Sequence, residues 1–177
     1  MARNDQLRRI ITGCKNGDPE CFSRLIDIYS SRCYGYFYRL TGNKDISDEL
    51  LSRLFAKLVE KVDSYKGPCF ESWLFKVASN VFNDYLRAKK RQQQIIEAVQ
   101  QEALTETVKP PRYDNEVFDK LQSQLAKLDA DTKEVIMLRF YSQLSFKDIA
   151  ELRGEPIGTT LSKAHRGLKK LKDLMSS

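Results

Sequence analysis

The segment from Leu144 to Leu171 carries residue types that bond phosphates and base edges, at the spacing of two short helices. Ser145 precedes Asp148 by three residues, a pairing that caps the start of a helix. Residues 153–155 (Arg-Gly-Glu) break that helix, and Pro156 is suited to open the next one. Two helices joined by a short glycine turn are typical of a helix-turn-helix, whose second helix enters a DNA groove.

The second of these helices has an apolar side and a polar side. Alternating steps of four and three residues give a predicted buried stripe of Ile157, Leu161, Ala164, Leu168 and Leu171. The predicted DNA-binding residues are Thr159, Ser162, Lys163, His165, Arg166, Lys169 and Lys170. The alternative is an ordinary amphipathic helix with a solvated basic face. The glycine turn favours DNA binding.

A second candidate nucleic-acid face lies on a long helix predicted from about Ser72 through Arg91. Its apolar side, from Leu74 to Leu86, points inward. At 100° per residue, one face collects amides that bond base edges and cations that bond phosphate: Lys76, Asn80, Asn83, Arg87 and Lys90. A solvated helix end is the alternative. The loop before this helix, residues 65–70, brackets a Gly-Pro turn with Tyr65 and Phe70, whereas Trp73 is expected to pack in the core.

Composition restricts the class of protein. The chain has 177 residues, 41% of them hydrophobic and 31% charged, which fits one or two small globular domains. No apolar run approaches the roughly 18–20 residues of a membrane span, and the first residues lack the apolar core of a signal peptide. We therefore expect a cytoplasmic protein without membrane insertion.

The net charge of +6 is unevenly distributed. Residues 1–91 contain 17 Lys/Arg against 11 Asp/Glu, and residues 156–177 contain 5 against 1. Residues 92–155 contain 8 against 12. Two basic zones separated by an acidic stretch indicate two contacts with a polyanion.

The residues that most often bind metals or catalyse reactions form no recognisable set. Cys14, Cys21, Cys33 and Cys69 include no C-x-x-C pair, and His165 is the only histidine. Zinc binding by Cys14 and Cys21 is an alternative, but buried, reduced thiols are the expectation. With no glycine-rich phosphate loop and no Ser/His/Asp set, we expect neither a cofactor, nor a metal, nor enzymatic activity.

Helical periodicity throughout predicts an all-α protein of two small domains joined by a flexible linker. A turn at residues 42–44 precedes a helix over Ser47–Val62, and residues 92–115 read as a fraying helix and then a tether containing Pro110-Pro111. The predicted units are residues 1–95, a linker at 96–114, and residues 115–177. In the last unit a helix over Glu116–Leu128 is followed by one capped by Asp131 with Glu134. Its residues Val135, Ile136, Leu138 and Phe140 are expected to pack under the helix-turn-helix.

Four sequence blocks resemble the extracytoplasmic-function (ECF) group of bacterial RNA polymerase sigma factors. Residues 17–22 (GDPECF) resemble the opening of the sigma core-binding domain, and residues 47–55 (SDELLSRLF) resemble the segment that grips the polymerase clamp helices. Residues 70–81 resemble the segment that reads and opens the −10 promoter element, and residues 144–166 resemble the domain that reads the −35 element. The blocks occur in the family's order and cover nearly the whole chain.

This resemblance implies three sets of contacts. Core polymerase would be bound by Asp48, Glu49, Leu51, Ser52 and Phe55. The −10 element would be bound and melted by Tyr65, Lys66, Phe70, Lys76, Asn80, Asn83, Arg87 and Lys90. The −35 element would be read by the DNA-binding residues of the second helix of the helix-turn-helix.

The chain departs from the family pattern at three places. Ser52-Arg53 replace a commonly Gln-Glu pair, which inverts one acidic contact to polymerase. The Gly67–Phe70 loop is one residue short and contains Pro68, and Thr160-Leu161 stand where an aliphatic and then a basic residue are usual. The −10 and −35 base preferences therefore do not carry over.

The resulting functional hypothesis is a promoter-specificity subunit. Its implied partners are core RNA polymerase, promoter DNA and an anti-sigma or other inhibitory protein. The alternative is a stand-alone helix-turn-helix regulator with a sensing or dimerisation domain. Such a regulator would not need an acidic clamp-binding helix joined to an Asn/Lys face and an aromatic loop.

Overall fold

A computed structural model describes residues 2–99 and 116–176 of the chain. Within these ranges the regular structure consists of α-helices and one 3-10 turn, Val62–Ser64, with no strand, which confirms the predicted all-α class. The helices are α1 (Ala2–Lys15), α2 (Pro19–Thr41), α3 (Lys44–Lys61), α4 (Phe70–Val99), α5 (Glu116–Ala126), α6 (Ala130–Ser142), α7 (Phe146–Arg153) and α8 (Ile157–Ser176). No described helix is long and apolar enough to cross a bilayer.

Local capping sets the helix ends in the N-terminal domain. Asp18 accepts a hydrogen bond from the Glu20 amide at 2.9 Å and caps α2, which begins at Pro19. Gly42, at a φ of 66°, ends α2 in the left-handed conformation that glycine adopts without strain. Asn43 then caps α3 by accepting from the Ile46 amide at 3.0 Å. The predicted turn is confirmed, but α3 begins at Lys44 instead of Ser47 because Asn43 supplies the cap.

The long fourth helix is anchored at its start and exposed at its end. Phe70, its first residue, is only 3% exposed, and its ring lies 5.7 Å from that of Tyr29. Tyr36 and Phe75 meet edge-on at 5.6 Å in the fully buried core. Residues 87–96 are all exposed, and the helix continues to Val99, where a fraying helix was predicted beyond Arg91. The rest of the predicted linker, residues 100–114, lies outside the described residues.

Capping also defines the helix-turn-helix. The amide of Asp148 donates to the Ser145 hydroxyl at 3.2 Å, and the amide of Ser145 donates to the Asp148 carboxylate at 3.0 Å. This confirms the capping box predicted for α7. Gly154, at a φ of 63°, ends α7 as expected. The cap predicted for α6 is wrong: Asp129, in extended conformation, accepts from the Thr132 amide at 2.8 Å, and Asp131 lies in the first turn.

The predicted packing of α6 and α8 is wrong on one side of each helix. The side of α8 that faces the core is formed by Thr160, Ala164, Gly167 and Leu171. Ile157, Leu161 and Leu168 are 48%, 44% and 47% exposed. The cause is Gly167, whose missing side chain lets α8 approach α6 closely: a Cβ there would lie 2.7 Å from Ile136 Cδ1. Val135, Ile136 and Leu138 are buried as predicted, but Phe140 is 73% exposed.

The two domains pack directly against each other, with α6 lying along α2 and α4. The Nε of Arg32 on α2 donates to the Tyr141 carbonyl near the end of α6 at 3.0 Å. In return, Lys133 on α6 donates to the Leu40 carbonyl near the end of α2 at 3.2 Å. The two helices are therefore antiparallel, and each places a cation at the negative end of the other.

Candidate nucleic-acid and polymerase interfaces

The exposed face of α4 carries most of the side chains predicted to contact DNA. Lys76, Asn80, Arg87 and Lys90 are all exposed, on a helix whose opposite side is buried by Leu74, Ala78 and Val81. Arg87 lies 3.4 Å from Asp84 Oδ1, an exposed pair of little energetic weight. This face combines amide and cationic groups in the arrangement that base edges and phosphates require.

Asn83 is placed differently from the other four. Its side chain is half-buried, and its Nδ2 donates to Ser79 Oγ at 3.3 Å and to Glu134 Oε1 at 3.4 Å. Glu134 belongs to α6 of the other domain. In this conformation the amide of Asn83 is therefore engaged between the domains and does not offer its donors to DNA.

The loop before α4 forms an aromatic cluster. The Tyr65 ring lies 5.2 Å from Phe70 and 5.8 Å from Trp73, and the Phe70 and Trp73 rings lie 5.4 Å apart. Tyr65 and Trp73 are half-buried and Lys66 is exposed. Phe70 is buried, which corrects its predicted role in this conformation: it supports Tyr65 and Trp73 from below and presents no face to DNA. The Lys15 ammonium donates to the Tyr65 carbonyl at 2.5 Å and fixes the loop to α1.

A cavity of about 460 Å³ opens beside this cluster. Its walls include Tyr65, Gly67, Pro68, Trp73 and Lys76 from the loop and from α4. The remaining wall comes from the C-terminal domain and is formed by residues 142–144, Asp148, Glu151 and Leu152. An aromatic wall beside a lysine is the kind of surface on which an unpaired base stacks.

The third candidate interface lies on α3. Asp48, Glu49 and Ser52 are exposed, whereas Leu51 and Phe55 are half-buried against the domain core. Glu49 forms an ion pair with Arg53 one turn later, and the Ser52 hydroxyl donates to the Asp48 carbonyl at 2.9 Å. Because Arg53 partly neutralises Glu49, Asp48 is the less compensated anion of this face.

Helix α8 presents most of the residues predicted to read the −35 element. Thr159, Ser162, His165, Arg166, Lys169 and Lys170 are exposed. The Lys170 ammonium donates to the Lys127 carbonyl at 2.9 Å. Arg166, which projects from the outer side of the helix, bonds only the Ser162 carbonyl, at 3.3 Å, among its described contacts. The outer surface of α8 is thus cationic and hydrogen-bonding, as DNA contact requires.

Lys163 does not belong to this outer surface. Its side chain is 15% exposed, and its Nζ lies 2.9 Å from Asp131 Oδ2 and 2.6 Å from Glu155 Oε2. Desolvation lowers the pKa of Lys163, but the hydrogen bonds to Glu155 and Asp131 outweigh it and hold the pKa above its ordinary value. The predicted DNA contact is therefore reassigned: Lys163 fixes α8 to the turn before it and to α6.

Glu134 and Arg153 are the functional candidates that the sequence did not reveal. Arg153 forms ion pairs with Glu134 and, at 3.0 Å, with Asp131. Glu134 is 2% exposed and accepts hydrogen bonds across the domain boundary from Ser79 at 2.6 Å and from Tyr36 at 3.3 Å. In the sequence, Glu134 looked like a capping partner and Arg153 like part of a helix break. An arginine beside a turn glycine carries no local signal of such a contact.

The cysteines lie in different environments. Cys14 and Cys33 are buried as expected, and burial raises the pKa of Cys14 to about 11 and that of Cys33 to about 12. Cys21 is half-buried and its thiol donates to Asp18 at 3.2 Å, whereas Cys69 is exposed, contrary to expectation. Within the described ranges, no three His, Cys, Asp or Glu side chains come together as metal ligands would.

Two parts of the chain match models of known protein families. The chain matches the family model for sigma-70 region 2 over residues 25–92 and the model for sigma-70 region 4 over residues 118–171. The first match contains α3, the aromatic loop and the candidate DNA face of α4. The second contains the helix-turn-helix.

Two relatives match over most of their own length. The ECF RNA polymerase sigma factor SigW of Bacillus subtilis is 28% identical over 183 residues, covering 95% of this chain and 98% of SigW. The ECF RNA polymerase sigma factor EcfG of Rhodopseudomonas palustris is 30% identical over 138 residues, covering 77% of this chain and 75% of EcfG.

Among solved structures, the sigma factor RpoE of Bartonella quintana, in complex with the anti-sigma factor NepR, superposes with a TM-score of 0.72. The two chains are 26% identical, and the superposition covers 88% of this chain and 96% of RpoE. With both sigma-70 regions in order and EcfG matched over 75% of its length, the chain belongs to the ECF RNA polymerase sigma factors, and it is a promoter-recognition subunit and not an enzyme.

Proposed function

We propose that this sigma factor divides its task among three surfaces. Asp48, Glu49 and Ser52 on α3, with Leu51 and Phe55 beneath them, bind core polymerase. The exposed face of α4 and the aromatic loop bind and open the −10 element, and the outer surface of α8 reads the −35 element. The three surfaces would lie in units of residues 1–95 and 115–177, joined by a linker at 96–114.

The observation that carries this proposal is the separation of the three surfaces. The α3 surface is acidic and exposed, whereas that of α4 carries cations and amides and that of α8 carries cations and hydroxyls. An anionic surface repels DNA and suits a basic protein partner, while cationic surfaces suit phosphate. A stand-alone DNA-binding regulator would have no use for the acidic surface.

An inhibitory protein completes the proposed set of partners. The superposable sigma factor RpoE was solved bound to the anti-sigma factor NepR. We propose that this chain, too, binds an anti-sigma or other inhibitory protein. We further propose that the chain meets polymerase and DNA in the cytoplasm.

The polymerase contact is tested by reversing charge on α3. Asp48→Lys with Glu49→Lys places two cations where two carboxylates stood, and one of them stands beside Arg53. Losing a charged contact that becomes buried at an interface costs about 2–5 kcal/mol. We expect pull-down of core polymerase to be abolished while the helical circular dichroism signal is kept.

The matched control is Glu60→Lys with Asp63→Lys, which reverses two exposed charges just beyond the candidate surface. This control should bind core polymerase as the unmodified chain does. If both double variants bind core polymerase as the unmodified chain does, the assignment of α3 is refuted. If both lose binding equally, overall charge, not this surface, governs binding.

A further inference from the structure

The first two turns of α8, residues 157–163, present aliphatic and hydroxyl side chains to solvent, and as the structure describes them they offer no cation free of an ion pair. Lys163 is held between Asp131 and Glu155. The exposed cations of this helix begin only at Arg166. In a helix-turn-helix the N-terminal residues of the second helix contact base edges, so these two turns lie where sequence is read.

Leu161 and Ile157 form the apolar part of this segment. They are 44% and 48% exposed, and one helical turn separates them on the same side of α8. The core side of the helix is formed by other residues, among them Ala164 and Leu171, so burial of α8 does not require either aliphatic group. Single exposed leucines are common on protein surfaces, but Leu161 is exposed within the segment that contacts base edges.

Leu161 adjoins side chains already predicted to bind DNA. Around the helix axis it lies about 40° from His165, and Ser162 is the next residue of the chain. Gly158 precedes both leucine and serine by one turn and lies between them in angle. A Cβ at Gly158 would meet no atom within 4 Å. The missing side chain therefore leaves room beside Leu161 for a group on the edge of a base.

The chemistry of a leucine suits one base in particular. In the major groove thymine alone presents a methyl group, on C5, and an aliphatic side chain gains free energy by burying that methyl. Guanine presents two acceptors there, which arginine or lysine binds. Position 161 is also one of the places where the chain departs from the family pattern, in which a basic residue is usual.

From these observations we propose that Leu161 recognises a thymine of the −35 element through its C5 methyl group, and that Ile157 extends the apolar contact. This inference rests on the proposed role of α8 in reading the −35 element, and it adds the base that the first turns of the helix select. Lys169, exposed farther along α8, then supplies a phosphate contact that carries no sequence information.

Replacement of thymine by uracil tests the contact, because the two bases differ only in the C5 methyl group. Holoenzyme is titrated onto labelled duplexes that carry the −35 element of a promoter selected with this sigma factor, and each thymine of the element is replaced in turn by uracil. Fluorescence anisotropy measures the dissociation constants. Burial of one methyl group changes an affinity about fourfold, so uracil at one position should weaken wild-type binding about fourfold.

Three variants assign that preference to a side chain. Leu161→Ala should bind the thymine duplex several-fold more weakly than wild type and should bind the thymine and uracil duplexes equally. Leu161→Met keeps an apolar side chain and should keep the preference for thymine. The matched control is Leu168→Ala: this leucine is 47% exposed on the same side of α8, about 10 Å farther from its start. The control should prefer thymine as wild type does.

Because the two duplexes are compared within one variant, the ratio of their dissociation constants does not depend on the fraction of folded protein. The proposal is overturned if wild type binds the thymine and uracil duplexes equally at every position. It is also overturned if Leu161→Ala keeps the wild-type preference, or if Leu168→Ala loses it as well.

A pull-down of core polymerase separates DNA contact from protein contact. Leu161→Ala should bind core polymerase as wild type does, and loss of this binding would overturn the proposal because Leu161 would then contact protein. Failure of the proposed function has a different signature. If wild-type holoenzyme binds a duplex with a scrambled −35 element as tightly as the selected one, the −35 role of α8 itself is wrong.

Discussion

The two lysines at positions 163 and 169 of α8 should have different roles, although the sequence presents both on one basic helix. Lys169 is exposed, whereas Lys163 lies between Asp131 and Glu155. We therefore expect Lys169→Ala to weaken binding to DNA and Lys163→Ala to weaken the fold.

The magnitudes follow from the contacts. A phosphate contact releases counterions, so its loss lowers the slope of log K against log salt by about 0.9. Between 50 and 200 mM salt, the affinity of Lys169→Ala for DNA should therefore decrease by a factor about 3.5-fold smaller than the decrease for the wild type. Lys163→Ala removes charge-assisted hydrogen bonds worth about 1.5–3 kcal/mol and leaves Glu155 partly unpaired. Each kcal/mol lowers the Tm by at least about 2 °C in a chain of this length.

The assay measures holoenzyme binding to a duplex that carries the −35 element, by anisotropy over that salt range, beside differential scanning calorimetry of each free variant. Lys169→Ala should change the salt slope and leave the Tm within about 1 °C of wild type. Lys163→Ala should lower the Tm and keep the slope. A reduced slope with an unchanged Tm for Lys163→Ala would refute the reading of this lysine as a structural group.

Three further predictions concern packing, pH and DNA opening. Gly167→Val should destabilise the chain by about 1–3 kcal/mol, because its Cβ would lie 2.7 Å from Ile136 Cδ1. Calorimetry compares it with Gly158→Val, where a Cβ meets no atom within 4 Å. Equal losses of stability in the two variants would contradict the close approach of α8 to α6. Hydrogen bonds from Ser145 lower the pKa of Asp148, so the contribution of this cap to stability is present at neutral pH and is lost as the pH falls through that lowered pKa. The Tm, measured from pH 7 to pH 3, should therefore fall less in Asp148→Asn than in wild type. Parallel curves of Tm against pH would count against the cap. Asn80→Ala should block promoter opening, measured as the permanganate reactivity of thymines near the −10 element, while a gel shift shows that holoenzyme still forms. Normal permanganate reactivity would mean that the −10 site lies elsewhere on the domain.

The sequence predicted best what short stretches of chain determine. The capping box of Ser145 with Asp148 and the glycine ends at Gly42 and Gly154 depend on residues within one helical turn, and all were confirmed. The start of α3 was placed at Ser47 instead of Lys44, and the cap of α6 at Asp131 instead of Asp129, because each region offers more than one polar residue at which a helix could begin. Backbone conformation around Asn43 and Asp129 decides between them.

Contacts between distant segments could not be predicted from the sequence. Leu161 and Leu168 looked like core residues, but the absence of a side chain at Gly167 turns the other side of α8 toward α6. Phe140 follows the apolar pattern of α6 and is nevertheless exposed. Likewise, the hydrogen bond between Asn83 and Glu134 depends on how the two domains dock, and the docking cannot be predicted from the sequence pattern of either domain.

Transcription from a pool of random promoters tests whether this chain directs core polymerase to promoters through two DNA-reading surfaces. Purified chain and core polymerase are incubated with the pool, and the templates that yield transcripts are sequenced. We predict enrichment of two conserved blocks at a fixed spacing upstream of the start site, with the upstream block lost when Arg166→Ala replaces the wild type. Transcripts without an enriched block, or a pattern that is the same with core polymerase alone, would mean that the chain does not select promoters in this way.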